Sequence, residues 1–235
     1  MEKKKFIKFI NKTHKFVNDL KKPFIDILIY LVLTLIVNIP LEYVKDSAVL
    51  SNIFMIIGSL IVAIVMCLRS NIDFKKEFKD FKKNYKSHLE SGLKTWFIGF
   101  VLMFLTNFII VSFLMNGEIA NNEELNREMI AVYPIYAVLS MAIFAPIIEE
   151  LMFRFNFRKA FKSKKAYMYF TGILFGLLHV LLNCTSILDF LYVIPYSIVG
   201  IAFGKIYADS KNILTSMFIH SFHNVLSLII VFSGL

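Results

Sequence analysis

The sequence predicts an all-α protein: a polytopic membrane bundle of about seven transmembrane helices, with interfacial amphipathic helices beside them. Three observations carry this. Apolar residues make up 57% of the chain and charged residues 18%, against about 45–50% and about 25% in an ordinary soluble domain. The apolar residues gather in blocks close to the roughly 20 residues that a ~30 Å hydrocarbon core requires. When those blocks are threaded through a bilayer with the N-terminus in the cytoplasm, only Lys45 and Arg127 of the 26 Lys and Arg residues fall on the outer side. That asymmetry is the positive-inside pattern, and it supports both the span count and the direction.

The elements follow in order. Residues 1–22 hold eight lysines, with Phe6, Phe9, Ile10, Phe16, Val17 and Leu20 at helical spacing. An amphipathic segment lying on an anionic leaflet is expected there, a disordered basic tail being the plain alternative. Residues 23–235 then read as a single transmembrane bundle without internal repeat. Its spans are Phe24–Val44, Ala48–Leu68, Thr95–Met115, Ala131–Phe153, Ala166–Leu182, Phe190–Tyr207 and Ile213–Leu235. Pro40, Pro146 and Pro195 fall inside spans, where neighbouring helices can satisfy the backbone groups they free.

Between the second and third spans, Phe74, Phe78, Phe81, Tyr85 and Leu89 form a stripe among lysines, which reads as a second interfacial helix. The connection 116–130 carries Glu118, Glu123, Glu124 and Glu128 and lies outside. Gly172/Gly176 and Gly200/Gly204 are GxxxG pairs, a spacing that lets helix backbones approach. Cys67 and Cys184 fall on opposite sides of the bilayer, so no disulfide is expected. No cleavable leader is expected, the first apolar block starting too late. The net charge of +9 sits in the connections, and so points to lipid headgroups and not to nucleic acid.

An ionisable group inside a span costs about 2.5–3.5 kcal/mol on insertion scales, so each one needs a reason. Glu149, Glu150 and Arg154 stand at the inner end of the fourth span, His179 in the fifth, and His220, His223 and Asn224 in the seventh. Hydrocarbon would not tolerate them facing lipid, so they are expected to converge in one pocket. Glu150 and Arg154, four apart, share a helix face and form an expected ion pair. Glu149 is turned about 100° away and is free for another partner. His220 and Asn224 also share a face, and His223, about 300° round from His220, lies close enough to stay a candidate. His179 stands ~20 Å from the inner end of its span at 1.5 Å per residue, so tilt or a longer fifth helix is required for it to meet the glutamates. A shielded glutamate can act as general base on water, a histidine can share the proton, and His220 with Asn224 can hold a developing oxyanion. Together these parts suffice for peptide hydrolysis without a covalent intermediate.

Three sequence stretches carry a resemblance. Glu149-Glu150-Leu-Met-Phe-Arg154, Phe175-Gly-Leu-Leu-His179 and His220-Ser-Phe-His-Asn224 resemble the EExxxR, FxxxH and HxxxN motifs of the CAAX-protease and bacteriocin-processing family, also called the Abi family. The resemblance covers roughly 131–230 and implies an intramembrane endopeptidase acting on a lipidated protein or a peptide. It implies that Glu149 activates water beside His179, and that His220 and Asn224 line the oxyanion side. It leaves the cofactor open between zinc, with Glu149, His179 and His220 as its ligands, and a metal-free glutamate mechanism. One departure is Phe155, where the family often has Gly directly after the motif arginine.

The chain lacks HExxH, Gly-x-Gly-Asp and Gly-x-Ser-Gly, the marks of other intramembrane protease types. The alternatives are a non-catalytic self-immunity or regulatory member of the same family and, more weakly, a transporter using the buried acid as a proton relay. The sequence does not name an oligomeric state.

Overall fold

The computed structural model describes residues 2–233, and for residues 2–10 and 12 the backbone alone. The side chains of Phe6, Phe9 and Ile10, expected on the membrane surface, lie outside the described residues. Helix α1 runs Glu2–Asn38, α2 Ala48–Ser70 and α3 Phe74–Ile109, the last continued by a π-helical turn to Leu114. After α4 (Asn121–Val132) come α5 (Pro134–Ala160), α6 (Lys164–Leu181), α7 (Val193–Ser210, entered through a 3-10 turn Ile187–Tyr192) and α8 (Ile213–Phe232). No strand is found among the described residues.

Among the described residues, six helices are long and apolar enough to cross a membrane, and the protein is a multi-pass membrane protein. The fifth expected span, Ala166–Leu182, is α6, an 18-residue helix of ~27 Å. It is not among the six, because Lys164, Lys165 and His179 dilute its apolarity; it packs closely against α7 instead. Leu35, Leu68 and Phe113 are more than 70% exposed on the outer helices, as lipid-facing side chains are.

Several boundaries differ from expectation. The segment 1–22 and the first span form one helix, with Pro23 inside it. Pro40 does not lie within that helix: α1 stops at Asn38, and Pro40 caps a single turn, Leu41–Val44. Pro40 has no N–H for the Ile36 carbonyl, four residues earlier, which accepts from Ile39 instead and ends α1 there. The lysine-rich stripe and the third span are likewise one helix, which carries Gly92 between Leu89 and Thr95 without a break. The acidic connection folds mostly as α4.

Glycine brings α6 and α7 together. A Cβ added at Gly200 would stand 2.9 Å from the Gly172 carbonyl oxygen, and one at Gly176 would stand 2.7 Å from that of Val193. The expected GxxxG contact is therefore made between these two helices.

Helix α5 is the irregular one. A π-helical turn at Ser140–Phe144 precedes Pro146, and a second at Glu150–Phe155 carries the acidic motif. Pro146 has no N–H for the carbonyl of Ala142, four residues earlier. That carbonyl accepts instead from the Ser221 hydroxyl at 2.6 Å, and the adjacent Met141 carbonyl accepts from the Asn224 amide at 2.8 Å. Two side chains of α8 thus repair the backbone of α5, and π-turns of this kind recur at functional sites.

Candidate active site

The glutamates meet His179 because α5, not α6, is longer than expected. It runs on to Ala160 through Phe153, Phe155 and Phe157, so Glu149 lies ~16 Å from its inner end. The expected position of Glu149 and Glu150 at the end of the span is corrected accordingly: both are well inside the helix.

The second π-turn aims the two acids differently. Glu150 is wholly buried, with Oε1 3.5 Å from Arg154 Nη1. It accepts from the Ser216 hydroxyl at 2.5 Å and from His220 Nδ1 at 3.0 Å. Arg154 is also fully buried and donates through Nη2 to the Gly200 carbonyl at 3.1 Å. Its guanidinium lies over the rings of Phe175, Phe203 and Phe153, at 4.6, 5.5 and 5.6 Å from their centroids. Aromatic faces accommodate a cation there without water. The expected Glu150–Arg154 pair is present, and it is sealed.

Glu149 faces the other way, and its side chain is 17% exposed. Its Oε2 is buried without a hydrogen-bond partner, 3.9 Å from His179 Nε2 and 3.7 Å from His220 Nε2. Each ring is fixed through its other nitrogen. His179 Nδ1 lies 2.8 Å from the Phe175 carbonyl, which can only accept, so Nδ1 carries the hydrogen. His220 likewise donates from Nδ1 to Glu150, and it stacks on Phe203 at 4.3 Å. His179 lies between Phe175 and Tyr196. With Nδ1 donating, each ring in its neutral form turns a bare Nε2 toward the carboxylate. Three acceptor atoms then surround one gap, which calls for a donor, and a water molecule supplies two.

Three cavities meet at Glu149. One of about 200 Å³ is also lined by His179, His220, His223, Asn224 and, at its polar rim, Glu123. A second, of about 140 Å³, opens between α1 and α6 along Ile27, Leu31, Met152, Leu178 and Leu182. The third, of about 100 Å³, lies between α1, α2 and α5, beside Ser59 and Tyr136. Two imidazoles and a carboxylate are donor types that zinc accepts. Ligands of one zinc stand ~3.4 Å apart, closer than these atoms, and no set of three His, Cys, Asp or Glu among the described residues is arranged to hold a metal.

Glu149, Glu150, Arg154, His179 and His220 are brought together as expected. Asn224 lines the same cavity and spends one of its two amide hydrogens on the Met141 carbonyl, which joins α8 to α5. Sequence reasoning missed Ser216, Trp96 and Asp26. Asp26, at 0% exposed, accepts from Arg69 Nε at 2.6 Å and from Asn156 Nδ2 at 3.0 Å, tying α1 to α2 and to the end of α5. An aspartate inside an apolar block was the available signal for that residue.

Residues 131–226 match the model of the Rce1-like family, the type II CAAX prenyl endopeptidases. The chain is 26% identical over 138 residues to the UPF0177 protein YvdC of Lactococcus lactis, covering 57% of this chain and 51% of that protein. It is 24% identical over 188 residues to an uncharacterised protein of Mycoplasma capricolum, covering 76% of this chain and 54% of the relative. It is 24% identical over 135 residues to another L. lactis UPF0177 protein, YxdF, covering 55% of this chain and 72% of the relative. The chain thus spans about half the length of the first two. No solved structure matches.

Proposed function

Because residues 131–226 of this chain belong to the Rce1-like, type II CAAX prenyl endopeptidase family, we propose that it is an intramembrane endopeptidase in which Glu149 activates water. The observation that carries this is the buried, unpartnered Oε2 of Glu149, faced by two bare imidazole nitrogens where three cavities meet. A water in that gap donates to the carboxylate and to one ring. Glu149 takes a proton as the water oxygen adds to the substrate's carbonyl carbon, and the C=O electron pair moves onto oxygen. Collapse restores the C=O bond and breaks the C–N bond. The proton held by Glu149 then passes to the leaving nitrogen, and the carboxylate is regenerated.

His179 and His220 orient the water. Glu150 acts through His220 by fixing its tautomer, and Arg154 balances the charge of Glu150; both are positioning residues. The apolar cavity between α1 and α6 suits the hydrophobic part of a membrane-associated substrate, a lipidated protein or an apolar peptide. The lysine distribution supports a cytoplasmic N-terminus in a cell membrane.

The test is purified protein in lipid nanodiscs against internally quenched peptides, with and without a C-terminal farnesyl-cysteine, in 18O-labelled water. Expected is cleavage at a defined bond, one 18O in the new carboxyl group, and activity that survives a chelator. Intact peptides throughout would sink the hydrolytic reading. Activity lost to the chelator and restored by zinc would replace its metal-free form.

A further inference from the structure

His223 has no part in the steps above, yet its geometry is among the most constrained in the cavity. The indole Nε1–H of Trp96, on α3, points at His223 Nδ1 across 3.3 Å. Indole nitrogen donates and cannot accept, so Nδ1 must be the bare nitrogen of a neutral ring, and Nε2 carries the hydrogen. This is the opposite tautomer to those of His179 and His220. Edge contacts with Phe100 at 6.1 Å and Phe203 at 5.9 Å hold the ring. Among the described residues no protein atom takes its Nε2. The residue lines the same cavity of about 200 Å³ as Glu149, His179 and His220.

The hydrolysis proposed above needs a donor for the oxyanion that forms when water adds. With Nδ1 donating, neutral His179 and His220 turn bare nitrogens inward, and the Asn224 amide spends one of its two N–H groups on Met141. We propose that His223, held by Trp96 with its hydrogen on Nε2, is an oxyanion donor of this site. The substrate carbonyl oxygen accepts from Nε2–H and keeps that bond as its charge grows. A neutral ring locked in one tautomer does this without moving a proton, which is the advantage of a preorganised donor. Trp96 lies outside residues 131–226 and acts through His223 as a positioning residue. The proposal rests on the hydrolytic reading, and the experiment separates the two.

Full-length protein with 15N-labelled histidine, in nanodiscs, reports the tautomer of each ring through its nitrogen shifts, with His223 assigned by its loss in His223→Gln. Expected is a protonated Nε2 and bare Nδ1 at His223, relaxing to a mixture in Trp96→Phe. A bare Nε2 in the wild type would overturn the proposal. In parallel, turnover of an internally quenched farnesylated peptide is followed. His223→Leu should lower kcat on the order of 100-fold with KM little changed. His223→Gln, whose amide nitrogen can stand near the Nε2 position, should recover about tenfold of that loss. Trp96→Phe should lower kcat less than His223→Leu. Full kcat in a folded His223→Leu would also overturn it. If the wild type leaves the peptide intact, the hydrolytic reading falls and the donor role with it, while the nitrogen spectrum still judges the tautomer.

Discussion

Asp26 and Glu149 are both carboxylates within apolar helices, and their surroundings are opposite. Asp26 is fully buried, and both of its oxygens are taken, one by Arg69 and one by Asn156. None of the three cavities at Glu149 is lined by it. Glu149 keeps one oxygen without a partner and borders three cavities. A buried charge whose hydrogen bonds are complete joins helices, whereas one left incomplete beside a hollow is available for chemistry. Glu150, although adjacent in sequence to Glu149, belongs with Asp26: Arg154, Ser216 and His220 surround it.

That division can be broken by substitution. Glu150→Ala should have the largest effect on stability, ~3–5 kcal/mol, because it leaves the Arg154 charge buried and unpaired. Thermal unfolding in detergent measures it, and a wild-type melting temperature would move Glu150 out of the structural group. Asp26→Ala should cost less, ~2 kcal/mol, since Arg69 is already one-third exposed and can rehydrate. If Asp26→Ala abolished cleavage while melting normally, the contrast between the two acids would be lost. Asn224→Ala should cost ~1 kcal/mol by stranding the Met141 carbonyl, and should slow cleavage less than His223→Leu. A kinetic loss larger than that of His223→Leu would return Asn224 to the role the motif resemblance implied.

Much of this site was legible because charges in apolar blocks are rare and therefore informative. Glu149, Glu150, Arg154, His179 and His220 stood out individually, and helix periodicity anticipated the Glu150–Arg154 pair. What was not legible depended on context beyond a single segment. A lysine-rich stretch followed by an apolar one reads as two elements, yet α1 and α3 run straight through, because a change in polarity does not by itself end a helix, and Pro23 in α1 and Gly92 in α3 are carried inside them. The continuation of α5 to Ala160 was hidden by Arg154, which read as the charged end of a span although aromatic rings enclose it. Trp96 and Ser216 are residue types common in any packed interior, and only their partners on distant helices give them meaning.

The most direct measurement is cleavage by purified Glu149→Gln beside the wild type, each with its melting temperature. Expected is a protein that melts close to the wild type and cleaves on the order of 1,000-fold more slowly, since an amide cannot take a proton from water. Wild-type cleavage by Glu149→Gln would contradict the assignment of the water-activating carboxylate. Collapse of the fold would contradict the claim that this carboxylate, unlike Asp26 and Glu150, is not part of the bundle's support.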